Sequence, residues 1–219
     1  RSVTKHDKLR ILVVERFGGN PCDPDILASL QEAAGRLRSM GHHVTKGELP
    51  LDLEPINAYW PKIGQIGLAH LVSTVPEMAE KASPKYLDMA AQGARIPATE
   101  LFAALESIRD LRSRASQMFG DWDVILTPSA AAQPWPAEEA FPTEIDGQTV
   151  GPRGHAVYTG WVNASGHPGL AMPGRPDPRR MPIGVQIVGD MGSEDLLLGL
   201  AEDFEAAGPG WTWPGYANG

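Results

Sequence analysis

Two rhythms of apolar and polar positions run along this chain. The first is short and dense. Residues 9–14 (LRILVV) are apolar almost throughout, as in a strand covered on both faces. The second has a period near 3.6. Ile26, Leu30, Ala33 and Leu37 recur at that spacing behind Asp23-Pro24-Asp25, which reads as a helix start because Asp caps, Pro suits the first turn and acids suit the positive dipole end. Arg36 and Arg38 fall in the last turn, and Gly41 suits the left-handed position that ends a helix. Residues 43–48 follow as a second strand with Val44 as its one clear apolar member. Strand, helix and strand make a βαβ unit, which belongs to a larger sheet.

Residues 50–98 lose this regularity. Six prolines (50, 55, 61, 76, 84 and 97) break the pattern into short helices, for example over 63–75 and 85–92. Thr99 reads as the cap of a longer helix running to about Phe119, with Leu101, Leu105, Ile108, Ala115 and Phe119 as its stripe. Residues 123–127 (DVILT) predict a third strand stopped by Pro128. Residues 129–156 are rich in Pro, Ala and Glu without periodicity and read as a long, functional surface loop. A short helix over 158–163, strands over 168–172 and 182–188, and a helix opened by Ser193 complete the series. Leu196, Leu197, Leu200, Ala201 and Phe204 give that last helix its apolar face, and Trp211 and Trp213 lie in the tail. The order predicts an α/β protein.

Composition narrows the function. The 219 residues suffice for one or two domains, and 42% apolar residues suffice for a packed core. A net charge of -8 argues against a nucleic-acid binder or a protein of anionic membrane surfaces. No apolar run reaches the roughly 18 residues of a membrane-spanning helix, and the expected location is cytoplasmic. Gly (24) and Pro (20) make about a fifth of the chain, which implies many tight turns. The single cysteine, Cys22, excludes an internal disulfide and reads as an inert, partly buried thiol. His42 and His43 are neighbours, point to opposite faces of a strand, and cannot hold one metal ion. Neither a metal nor a cofactor is expected. Gly18-Gly19 reads as a simple turn, and no nucleophile elbow, dinucleotide loop or phosphate loop occurs.

Three segments then carry a resemblance: residues 121–128 (DWDVILTP), 163–173 (NASGHPGLAMP) and 181–189 (MPIGVQIVG), the last followed by the helix over 194–204. In this order they resemble the C-terminal part of the amidase signature family. Residues 10–14 and 24–44 resemble the family's segment just after its catalytic core. The resemblance is weakest over 50–98 and 129–156. It implies a chain that is one C-terminal portion of an amidase-type domain: a βαβ unit over 1–49, a helical region over 50–120, and a sheet-completing, pocket-wall region over 121–219. The implied fold is part of an α/β/α sandwich with a mixed, mostly parallel central sheet flanked by helices.

Family members hydrolyse amide C–N bonds with a Ser–cis-Ser–Lys triad and a Gly/Ser-rich oxyanion loop. Those groups belong to the family's N-terminal half, and no such segment occurs here, so no catalytic residue is assigned. The chain begins at Arg1, which fits catalytic groups lying upstream. Thr127 and Pro128 end a strand where open α/β sheets place ligand crevices, and with Tyr158, Trp161 and Asn163 they are the expected pocket residues. The expected partner is a small amide, bound together with the N-terminal half. Open sheet edges also favour self-association, for instance as a homodimer. The alternative is a non-catalytic binding module derived from the same fold. A receiver-like or flavodoxin-like domain is disfavoured because the paired acids of a receiver are missing after residues 9–15.

Overall fold

The computed structural model describes residues 8–209; Trp211 and Trp213 lie outside them. In chain order the elements are β1 (Arg10–Val13), α1 (Pro24–Ser39), β2 (His43–Lys46), α2 (Glu54–Thr74), α3 (Pro76–Lys81), α4 (Pro84–Gly93) and α5 (Ala98–Met118). Then come β3 (Val124–Pro128), β4 (Glu144–Ile145), β5 (Gln148–Thr149), a 3₁₀ turn (Gly154–Ala156), α6 (Gly160–Ser165), β6 (Gly169–Pro173), β7 (Gly184–Val188) and α7 (Glu194–Ala206). The chain divides into two compact units. One comprises Arg1–Pro50, Ser116–Val162 and Gly166–Gly219; the other comprises Leu51–Ala115 and Asn163–Ser165.

The first unit is built on a five-stranded sheet of order β2-β1-β3-β7-β6. β1 pairs in parallel with β2 and with β3, whereas β7 pairs antiparallel with β3 and with β6. Four strands therefore run one way and β7 runs against them, which makes the sheet mixed and mostly parallel. The dense apolar runs lie inside: all five residues of β3 are buried, while exposed β2 forms an edge. Alternation then sorts the side chains by face. Ile11, Val13, Val124, Leu126, Val185 and Ile187 point one way and form a single core with Leu30 and Leu37 of α1 and Leu197, Leu200 and Phe204 of α7. Each such side chain contributes roughly 1.5–3 kcal/mol on burial. Helix α1 starts as its sequence predicts. The Asp23 carboxylate accepts from the Asp25 N–H, Pro24 stands in the first turn, and Gly41 lies beyond the end at φ +96°.

Asp123 joins the strand starts. Its carboxylate accepts from the Arg10 backbone N–H at 2.7 Å and from the Arg10 guanidinium Nη2 at 2.9 Å, while the Asp123 N–H donates to the Arg10 carbonyl at 2.9 Å. Within residues 129–156, read as an aperiodic loop, β4 and β5 form a small hairpin. Asp146 and Gly147 make its turn at φ +50° and +70°, the left-handed pair that a two-residue hairpin requires.

The second unit is helical. The prolines were expected to break residues 50–98 into short helices, yet α2 runs for 21 residues with Pro61 inside it. Pro55 occupies the first turn, where its missing N–H loses nothing. Pro61 removes one ladder bond, and contact with α4 offsets that loss. A Cβ on Gly93 of α4 would come within 2.0 Å of the Gln65 carbonyl oxygen of α2, so glycine is what permits the close approach. The Gln65 side-chain amide donates to Gln92 at 2.8 Å, and Lys62 pairs with Glu100.

Candidate functional site at the carboxyl end of the sheet

From β1 the chain crosses through α1 to β2 on one side, while β3 lies on the other side of β1. Connections thus leave neighbouring parallel strands in opposite directions, and an open α/β sheet places its ligand crevice outside the carboxyl ends at such a point. Three segments meet there. The Ala131 N–H donates to the His155 carbonyl, and the Asp23 N–H donates to the Ala131 carbonyl, both at 2.9 Å. The Tyr158 hydroxyl donates to the Glu15 carbonyl at 2.7 Å, and the Tyr158 and Phe17 rings meet edge to face at 5.0 Å. The Ser129 N–H donates to the Gly184 carbonyl at 3.2 Å, bringing in β7.

The titratable groups follow their surroundings. Cys22 is fully buried rather than partly so, and burial pushes its thiol up in spite of its hydrogen bond with Tyr158, which favours the protonated form. Burial raises Tyr158 as well, with the Cys22 contact adding to it. Burial raises Glu15, but the Lys46 ammonium at 2.7 Å and the Gln31 amide outweigh it and hold the carboxyl below its ordinary range. Burial, with Arg153 nearby, lowers His155 and favours the neutral imidazole. Gly18 and Gly19 form a turn, with Gly18 at φ +57° and the Asn20 N–H donating to the Phe17 carbonyl at 3.3 Å.

Of the five expected pocket residues, four lie in the sheet unit. Thr127 and Pro128 end β3, the Tyr158 hydroxyl reaches Glu15, and Trp161 stands in the first turn of α6. Thr127 and Tyr158 are fully buried and Trp161 is 1% exposed, so their side chains lie in the packed interior. Asn163 is exposed on α6 and belongs to the other compact unit.

A pattern that the sequence reading did not single out is the set of buried side-chain polar atoms lacking a partner. Among the described residues these are Ser29 Oγ, Ser129 Oγ, His155 Nδ1, Trp161 Nε1, Gln186 Nε2 and Ser193 Oγ. Four of the six (Ser129, His155, Trp161 and Gln186) lie on β3's carboxyl end, on its register partner β7, or on segments tied to them. Each such group costs about 1–3 kcal/mol when unpaired, and four of the six lie toward one end of the sheet. The sequence signal for Gln186 was present: it is the single polar residue in the strand GVQIV.

A second set of chemical groups lies elsewhere. Ser116 Oγ and Asp190 Oδ1 approach the same nitrogen of His167, Nε2, at 3.2 and 3.5 Å. Relay from serine through imidazole to carboxylate needs both ring nitrogens, so these contacts do not make a nucleophile with its base. The buried His167 ring instead stacks on Phe119 at 5.4 Å. Among the described residues no cluster of three His, Cys, Asp or Glu suits a metal ion, and no helix is long and apolar enough to cross a membrane.

Comparison with known proteins gives this arrangement a context. The family model described as Amidase matches residues 1–198. The chain is 32% identical over 212 residues to the putative amidase AmiC of Mycobacterium tuberculosis, covering 92% of this chain and 44% of that protein. It is 26% identical to the 2-amino-5-chloromuconic acid deaminase of Comamonas testosteroni, covering 90% of this chain and 43% of the other. Among solved structures, 6-aminohexanoate cyclic dimer hydrolase complexed with substrate superposes with a TM-score of 0.79 at 23% identity, over 94% of this chain and 46% of that one. A bacterial aryl acylamidase of the amidase signature family superposes with a TM-score of 0.74 at 21% identity, over 93% and 44%. These superpositions show the fold. The chain spans less than half the length of these relatives.

Proposed function

The chain belongs to the amidase family, and we propose that it supplies the sheet and one pocket wall of an enzyme that hydrolyses amide C–N bonds. In this reading the catalytic triad stands on an upstream segment, and the crevice beyond β1 and β3 receives the substrate. Thr127, Pro128, Tyr158 and Trp161 form the packed inner layer of the wall. The supporting observation is the concentration of unpartnered polar atoms at the carboxyl end of the sheet. The relatives support it too, since they include a putative amidase and a 6-aminohexanoate-cyclic-dimer hydrolase. A non-catalytic binding module is not favoured by them. The cytoplasmic location and self-association through open edges belong to the same proposal.

The test is to express the 219 residues alone and joined to the coding sequence immediately upstream of Arg1, and to assay both on acetamide and benzamide. The joined protein is expected to turn over amide, and the chain alone to release no ammonia above background. Turnover by the chain alone, abolished by replacing one of its own serines, sinks the proposal.

A further inference from the structure

We infer that a cavity between α1, the β6–β7 connection (residues 174–183) and the end of α7 binds a zwitterion of dipeptide size with apolar side chains. Every wall comes from the first compact unit, and the inference does not depend on the amide-hydrolase reading.

The cavity measures about 620 Å³, within the usual range of small-molecule pockets. None of the five expected pocket residues lines it. Helix α1 sets its length. Glu32 meets Arg175 of the connection at 3.2 Å. One turn later, Arg36 lies over the Phe204 ring of α7 at 4.3 Å and donates to the Phe204 carbonyl at 3.4 Å. The connection and the end of α7 therefore meet α1 about one helical turn apart, roughly 5–6 Å. A Cβ on Gly208 would come within 2.4 Å of Arg36 Nη1, so that glycine leaves room for the guanidinium.

Charge divides between the two sides. The connection brings Arg175 and Arg180, and α7 brings Glu202 and Glu205. Glu32 stands between Arg36 and Arg175, at 3.9 and 3.2 Å, and offsets only one of these two guanidinium charges. The turn that carries Arg180 is fixed from within. The buried Asp177 carboxylate accepts from the Met181 N–H at 2.7 Å and from Arg179 Nε at 3.0 Å. Arg180 takes φ +67°, a conformation that disfavours any residue with a Cβ. The turn thus sends Arg179 to Asp177 and Arg180 to the cavity.

On α7 the acids oppose their own helix. Its carboxyl end is already negative, yet no basic residue stands in the last turn, and Glu202 and Glu205 line the cavity there. A bound ammonium relieves both repulsions. Between the charged sides lie Pro173, Pro176 and Pro182, apolar and fixed in φ, so little chain is ordered on binding. The fitting ligand places a carboxylate at the guanidinium groups, an ammonium at the α7 acids and an apolar body against the prolines. An amino acid holds both charges on one carbon and reaches one side. A dipeptide sets its termini roughly 6–7 Å apart, which matches the one-turn offset.

The joined protein, carrying the upstream segment, is titrated by calorimetry with three probes that share one amide bond. Leucyl-leucine has both charges, leucine isopentylamide lacks the carboxylate, and 4-methylpentanoyl-leucine lacks the ammonium. Leucyl-leucine is expected to bind with a dissociation constant of roughly 0.1–1 mM, ordinary for a ligand of its size. Each analogue is expected to bind at least about threefold more weakly. Arg180→Gln should weaken leucyl-leucine roughly three- to fivefold, the worth of an exposed charge pair, and leave leucine isopentylamide unchanged. Glu205→Gln should weaken leucyl-leucine by a similar factor and leave 4-methylpentanoyl-leucine unchanged. It should also melt no lower than wild type, because it removes an acid from the negative helix end.

Absence of saturable binding to the joined protein overturns the proposal, as would follow if the upstream segment covered the cavity. So does equal affinity for leucyl-leucine and either analogue, or a substitution that weakens all three probes alike. Hydrolysis of acetamide or benzamide by the joined protein, or its failure, bears on the catalytic reading and leaves these affinities as they are.

Discussion

At Asp123 a single carboxylate ties two strand starts together. It is nearly buried and accepts both backbone and guanidinium N–H groups from Arg10. Asp123→Ala leaves those donors unpaired and is expected to lower stability by about 2–4 kcal/mol, measured as a shift of the urea midpoint at constant slope. A change below experimental error would mean that water replaces the carboxylate. His42 offers a test of sign. Its Nδ1 accepts from the Leu9 N–H at 3.2 Å, and burial lowers its pKa, Asp203 opposing and His43 assisting. A depressed histidine contributes stability that is present above its unfolded value, roughly 6.5, and is lost as pH falls through the lower folded value. Between pH 7.5 and 5 the wild type should lose more stability than His42→Gln, which keeps an acceptor but does not titrate. Parallel pH curves for the two proteins refute this.

Among the elements, α4 shows how one glycine sets helix packing. Gly93→Ala pushes a methyl group into the backbone of α2 at Gln65. The expected loss is roughly 1–3 kcal/mol or more, as for other overpacked contacts. It should appear as faster amide exchange in α2 and α4, with β1 and β3 protected as before. Uniform loss of protection instead would show that both units unfold as one. The strands of the first unit were legible because burial on both faces leaves a dense apolar run. Helix α2 was harder to read, because propensity counts Pro61 against a helix whereas packing decides in its favour. The β4–β5 hairpin was missed through its turn chemistry. Asp146-Gly147 between residues 144–145 and 148–149 is a local signal that apolar periodicity does not detect.

For the molecule as a whole, strand β6 pairs on one side only, with β7. The helical unit exposes Leu71, Tyr86, Phe102 and Leu105, which are between 39% and 57% accessible. Open edges and apolar side chains in contact with water favour association. Light scattering at tens of micromolar protein is expected to give a mass above the 23.5 kDa of one chain. Phe102→Ser with Leu71→Ser should reduce it. A monomer mass throughout contradicts self-association and leaves the family assignment untouched.

By itself the sequence determined the five strands of the main sheet, the capped start of α1 and, through three ordered motifs, the family. Each of these is written in local patterns of burial, capping and turn geometry that need few distant partners. Tertiary structure decided which polar groups gather at the carboxyl end. Thr127, Ser129 and Gln186 are far apart or unremarkable along the chain, and only the antiparallel register of β7 against β3 brings them to one face. It also decided that Tyr158 and Trp161, aromatic candidates for the pocket, are buried in the interior. Large aromatic side chains have the same composition whether they meet a ligand or a core, and burial alone separates the two roles.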